Sequence, residues 1–230
     1  MLLGFLLVTF AGICWIGLGV SVSVCASRKW DYNIVQGLNY LGVSLICLLV
    51  RACGAWPQAT DRKILALVFL LNCCAGISNF FTYFLTAKAM RLGPNGLVWG
   101  MMQSGMIGSF LMGICFFGEP VTLLRLTGLI LIIGGILAMG FGKDNSRSTT
   151  GKLWLLPSIG AFFLVMVTHC CNALPSFLPE AAATGSVFRT FGMYFGGVIG
   201  FALIMLPGIF RNKKLGRKEE WYMAAVLIVL

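Results

Sequence analysis

Seven stretches of the chain are apolar for long enough to cross a bilayer, at about 2–24, 33–50, 64–86, 95–117, 124–142, 153–173 and 187–207. A transmembrane helix needs about 20 such residues, so each stretch predicts one span. An eighth apolar run starts at Trp221 and ends at Leu230, too short to span. Either the chain is cut short there or the last helix dips into the interface; an incomplete chain is the expectation. Unpaired backbone groups in hydrocarbon cost several kcal/mol each, which makes helix the workable conformation for all of these runs. The alternating pattern of a membrane β-barrel is absent. The first run lacks a basic leader and exceeds the ~7–15 apolar residues of a cleaved signal, so it reads as the first span.

Polar residues punctuate the pattern at Arg28-Lys29-Trp30-Asp31, Trp56 to Lys63, Arg91-Leu92-Gly93-Pro94, Gly118-Glu119-Pro120 and Lys143 to Lys152. The last of these is the longest polar run and the natural join between two halves. That divides the chain into 1–142, a first unit of five helices, a polar linker 143–152, and 153–230, a partial second unit. In each half two spans precede a basic loop, Asp61-Arg62-Lys63 in the first and Arg211 to Glu220 in the second. Five spans before the linker would put a repeated second half into the membrane upside down, the inverted-repeat plan of many secondary transporters. The fold class expected is therefore an all-α membrane protein. It would be a bundle of seven full transmembrane helices and a partial eighth, built as inverted five-helix repeats with the second truncated.

Composition supports lipid as the outer solvent. Hydrophobic residues make up 59% and charged residues 10%, against about 45–50% and about 25% in a soluble domain. The formal charge of +10 would suggest nucleic acid in a soluble protein. Here the basic residues lie between apolar runs, where lipid headgroups and the positive-inside bias explain them, and no nucleic-acid partner is expected. Twelve of the 17 basic residues follow odd-numbered spans and five follow even ones, a bias that by itself puts the N-terminus outside. Seven of the nine cysteines sit inside apolar runs with no CxxC pair, which reads as packing rather than metal binding. No cofactor or metal is expected.

The most specific text lies in the fourth and fifth spans. Arg91-Leu92-Gly93-Pro94-Asn95-Gly96 opens an apolar helix. Phe117-Gly118-Glu119-Pro120-Val121-Thr122 follows, then Arg125-Leu126-Thr127-Gly128 and Leu131-Ile132-Ile133-Gly134-Gly135-Ile136-Leu137. This resembles the EamA-type drug/metabolite transporter superfamily, whose first repeat closes with a Gly-Glu turn and a glycine-rich apolar helix. The Arg28-Lys29-Trp30-Asp31 loop after a Gly-rich helix looks like the sugar-permease branch. The resemblance covers the first five spans, and the sixth and seventh by pattern alone. It implies ten helices in two inverted repeats around a central solute cavity, with the N-terminus in the cytoplasm, opposite to the charge count.

Polar side chains inside spans are the candidates for function, because each costs free energy unless a partner or a wet cavity receives it. Asn72, Gly76, Asn79 and Tyr83 fall on one face of the third span. They suit either a polar solute or amide bonding between helices. Trp99 and Gln103 share a face of the fourth span, as a stacking plate beside an amide or as an interfacial Trp. Trp15, mid-helix in the first span, is a further cavity candidate. His169, the single histidine, neighbours Thr168 and Asn172 near the end of the sixth span, either as a solute ligand or as a satisfied structural histidine. Glu119 reads as a brace for its turn through Arg125. Gly100, Ser104 and Gly108, with Gly105, Ser109 and Gly113, repeat every four residues and read as close helix contact. All seven carboxylates lie at span ends or in loops. That favours facilitated diffusion, or coupling through helices beyond Leu230, over a proton or sodium carrier at mid-bilayer.

These features favour a secondary transporter or facilitator for a small organic solute such as a metabolite, sugar or amino acid, held in a multi-pass bacterial inner or plasma membrane. The partners expected are that solute and the lipid bilayer, with homo-oligomerisation left open. A non-transporting membrane subunit or transporter remnant is the alternative. A membrane-embedded enzyme fits less well. Met102-Gln103-Ser104-Gly105 lacks the Gly of a Gly-x-Ser-Gly protease, and one histidine cannot form His-Glu-x-x-His.

Overall fold

The computed structural model describes residues 2–54, 61–141, 152–209 and 217–229, and no strand occurs among them. The chain forms α1 (Leu2–Arg28), α2 (Tyr32–Ala52), α3 (Arg62–Met90), α4 (Asn95–Gln103), a 3-10 turn (Ser104–Met106) and α5 (Ile107–Phe117). It continues with α6 (Leu123–Phe141), α7 (Leu155–Phe177), the short α8 (Pro179–Ala182), α9 (Ser186–Ile209) and α10 (Lys218–Val229). Each of the seven apolar stretches is thus helical, the fourth with a 3-10 interruption at its middle. The linker 143–152 lies outside the described residues except for Lys152. The first part of the loop from Trp56 to Lys63 and most of Arg211 to Glu220 also fall outside.

Five helices are long and apolar enough to cross a membrane: Tyr32–Ala52, Arg62–Met90, Asn95–Phe117 taken through its 3-10 turn, Leu155–Phe177 and Ser186–Leu206. Their outward faces are greasy rather than charged. Leu49, Phe116 and Leu156, for example, are 67%, 81% and 80% exposed, a surface that water would penalise and lipid would not.

Local chemistry sets the helix ends. Asp31 caps α2 by accepting from the Asn33 backbone N–H at 3.1 Å, and Asp61 caps α3 by accepting from the Lys63 N–H at 3.0 Å. α1 stops where Lys29 takes a left-handed conformation (φ 57°) and the Trp30 N–H donates back to the Cys25 carbonyl at 2.9 Å. α5 stops at Gly118, also left-handed (φ 64°), where glycine avoids the Cβ penalty. Beyond it Glu119 accepts from Arg125 at 2.6 Å, which makes the pair the brace that its spacing predicts.

α3 is the central helix. It packs chiefly against α9 on one side and α7 on the other, while α2 packs on α9 and α10, and α4 and α5 on α7. The α3–α9 contact is backbone on backbone. A Cβ at Gly76 would lie 1.8 Å from the Met193 carbonyl oxygen, and one at Gly196 would lie 2.0 Å from that of Cys73. Gly105 makes a similar approach to α7, where a Cβ would lie 2.5 Å from the Phe162 carbonyl oxygen. That is the close contact the small-residue spacing of this span predicts. Polar stitches complete the core: Ser78 of α3 donates to the Leu164 carbonyl of α7 at 2.8 Å, and Thr82 and Thr86, both fully buried, donate one turn back along α3.

Candidate solute cavity

Seven helices leave a cavity of about 370 Å³ between them. α1 contributes Cys14, Trp15 and Leu18; α2 contributes Gln36, Asn39 and Tyr40; α3 contributes Asn79 and Tyr83. Gln103 comes from α4, Val165, Thr168, His169 and Asn172 from α7, Met193 and Tyr194 from α9, and Leu227 from α10. The wall holds four aromatic rings and several amides. No Asp, Glu, Lys or Arg is among the lining residues.

Gln36 and Tyr40 of α2 and Asn79 of α3 are engaged in hydrogen bonds. Tyr32, next to the N-terminal cap of α2, donates from its hydroxyl to Gln36 Oε1 at 2.8 Å. One turn further on, Asn79 Nδ2 donates to the Tyr40 hydroxyl at 2.9 Å. The Tyr40 ring meets Tyr194 edge-on at 5.5 Å, which ties α9 into the same wall. On α7, Thr168 donates to the Leu164 carbonyl at 2.9 Å, and Asn172 Nδ2 makes a 3.4 Å contact to Met193 Sδ. Three lining residues keep a buried polar atom without a protein partner: Gln103 Oε1, His169 Nε2 and Asn172 Oδ1. Buried polar groups are nearly always paired, so three orphans on residues lining one cavity need a partner, either water or solute.

Of the eight residues that the sequence singles out, Trp15, Asn79, Tyr83, Gln103, His169 and Asn172 share this cavity. Asn72 and Trp99 do not line it. Asn72 is 3% exposed and donates from Nδ2 to the Val68 carbonyl of its own helix at 2.8 Å, in a tight spot beside Gly192 of α9. The stripe Asn72-Gly76-Asn79-Tyr83 therefore changes partners along its length. Its first half packs on α9 and its second half opens on the cavity. Trp99 packs against Gly19 of α1, where a Cβ would lie 3.1 Å from the indole, and its ring sits 6.4 Å from that of Tyr83. It backs Tyr83 rather than facing the cavity.

The sequence reading names no site residue on α2, although Gln36, Asn39 and Tyr40 stand at i, i+3 and i+4, with Tyr32 one turn earlier. The face test that finds Asn79 and Tyr83 finds these as well. Tyr194 and Met193 carry no such signal, because they sit in an aromatic-rich apolar run. Among the described residues, no group of three or more His, Cys, Asp or Glu side chains is arranged to hold a metal ion. Compared with models of protein families and with curated proteins, the chain matches none.

Proposed function

We propose that this chain forms the solute path of a secondary transporter or facilitator that moves a small, uncharged polar organic molecule across a membrane. The observation that carries the reading is a cavity walled by apolar helices whose lining is aromatic and amide, with three buried polar atoms unpartnered. Its volume of about 370 Å³ falls within the about 300–1,000 Å³ usual for small-molecule sites. A charged solute would meet no counter-ion in this wall, and burying an unpaired charge is far costlier than burying a hydroxyl. The broken fourth stretch supports the same reading. Gln103 is the last residue of α4, immediately before the 3-10 turn, and interrupted helices beside a mid-membrane site are a recurrent transporter device. In this view the chain has seven full spans and a partial eighth, as its apolar runs predict, arranged as part of the two inverted repeats that the resemblance to EamA-type transporters implies.

The test is flux. The purified full chain is reconstituted into liposomes and loaded with unlabelled solute, and counterflow of labelled L-rhamnose, D-glucose, myo-inositol, choline and glutamate is followed. Uptake of at least one neutral solute, saturable and several-fold above protein-free liposomes, is expected. Flux of none of the five, or of choline or glutamate alone, rejects the reading.

A further inference from the structure

Among the polar groups of the lining, two sets differ in one physical respect. On α2 and α3, Gln36 accepts from Tyr32 and Tyr40 accepts from Asn79. On α4 and α7, where Thr168 is bonded to the Leu164 carbonyl, Gln103 Oε1, His169 Nε2 and Asn172 Oδ1 have no protein partner. A ligand that bonds to the first set must break an existing bond to do so and gains little. A ligand that bonds to the second set breaks no protein bond to do so.

We propose that Gln103, His169 and Asn172 determine which solute is accepted, and that the Tyr32–Gln36 and Tyr40–Asn79 pairs are a scaffold that shapes the cavity without reading its contents. The proposal rests on the cavity being a solute site. Two of the three unpartnered atoms are amide oxygens, which only accept, while an imidazole nitrogen either accepts or donates. The matching solute presents at least two O–H or N–H donors to the α4/α7 side. Its apolar face lies toward the rings of Trp15, Tyr83 and Tyr194. A site built to hold a hydroxyl rejects the analogue that lacks it, because its own polar groups are then left bare.

Two measurements on the full chain in lipid nanodiscs test this. The first needs no solute. Asn79→Leu breaks a satisfied pair and is expected to lower Tm, whereas Gln103→Leu removes an unpartnered atom and is expected to leave Tm unchanged or raised. The reverse order would overturn the division into two sets. The second is calorimetric binding of D-glucose and myo-inositol, each alongside a singly deoxygenated analogue, with choline as a charged comparator. At least one parent is expected to bind about tenfold more tightly than its deoxy analogue, the size of one good hydrogen bond. Gln103→Leu or Asn172→Leu should reduce that preference to within about twofold, and Gly128→Ala on α6, outside the cavity wall, should preserve it. Tighter binding of choline, binding of neither sugar, or a preference that survives both leucine variants overturns the proposal. Because binding is read without flux, a protein that binds selectively yet transports nothing would overturn the transport reading alone.

Discussion

At Gly76 a single methyl group decides whether α3 and α9 can touch. The Cβ of an alanine would lie 1.8 Å from the Met193 carbonyl oxygen and 2.8 Å from the Gly197 nitrogen, and these are backbone atoms that cannot swing aside. Gly76→Ala should therefore destabilise the protein by about 1–3 kcal/mol or more, as overpacking does. Gly128→Ala on α6 meets nothing within 4 Å and is the matched control. It should be neutral or stabilising by up to about 1 kcal/mol, because alanine is the better helix former. Thermal unfolding of the two variants in the same detergent checks both. A Gly76→Ala protein as stable as the parent would mean that the α3–α9 contact is looser than described.

Among the elements, α10 depends most visibly on its neighbours. One carboxylate fixes its start. Glu220, only 3% exposed, accepts from the Arg217 backbone N–H with one oxygen and from the Asp31 N–H with the other, both at 2.8 Å. The first bond is the return half of a capping box, and the second ties α10 to the beginning of α2. Downstream, Ile228 packs at Gly42 of α2 and Leu227 reaches the cavity. Glu220→Ala should cost about 1–3 kcal/mol, since it leaves two helix-start donors without their partner. Glu220→Gln, which keeps the two atoms but trades an acceptor oxygen for a donor, should fall between the parent and the alanine variant. Limited proteolysis after Arg217 reports on the same clamp. Equal cleavage of parent and alanine variant would show that α10 is held by its apolar face alone.

At the scale of the whole molecule, the reading of the chain as a transporter requires α2 to cross the bilayer. Lys29 lies just before it, and Asp61 lies after it, at the start of α3. In reconstituted vesicles, Lys29→Cys and Asp61→Cys, each in a background without the exposed Cys53, Cys74 and Cys115, should react with a membrane-impermeant maleimide from opposite sides. Labelling of both from one side would contradict a spanning α2, and with it the transport path. Which of the two is external also decides between the charge bias, which puts the N-terminus outside, and the EamA resemblance, which puts it inside.

The sequence by itself determined where helices form and which polar residues need an explanation. Its runs are too apolar and too long for any conformation that leaves backbone groups unpaired, so helix boundaries follow from Asp31, Asp61 and Gly118 without reference to the rest of the chain. Polar residues inside such runs stand out for the same reason, which is why Asn79, Gln103, His169 and Asn172 are legible before any coordinates. Tertiary structure decided what each stripe faces. Helical periodicity gives the angle of a side chain about its own axis but not the neighbour at that angle. Asn72 and Asn79 share a stripe, yet one meets the backbone of α9 at a glycine contact and the other meets Tyr40 at the cavity. Trp99 and Gln103 part company in the same way, one turning to α1 and the other to the cavity. The long-range partners matter most: Tyr194 against Tyr40, and Glu220 across 189 positions to Asp31. Such contacts depend on how whole helices pack, a property of the assembled bundle that no local stretch of sequence encodes.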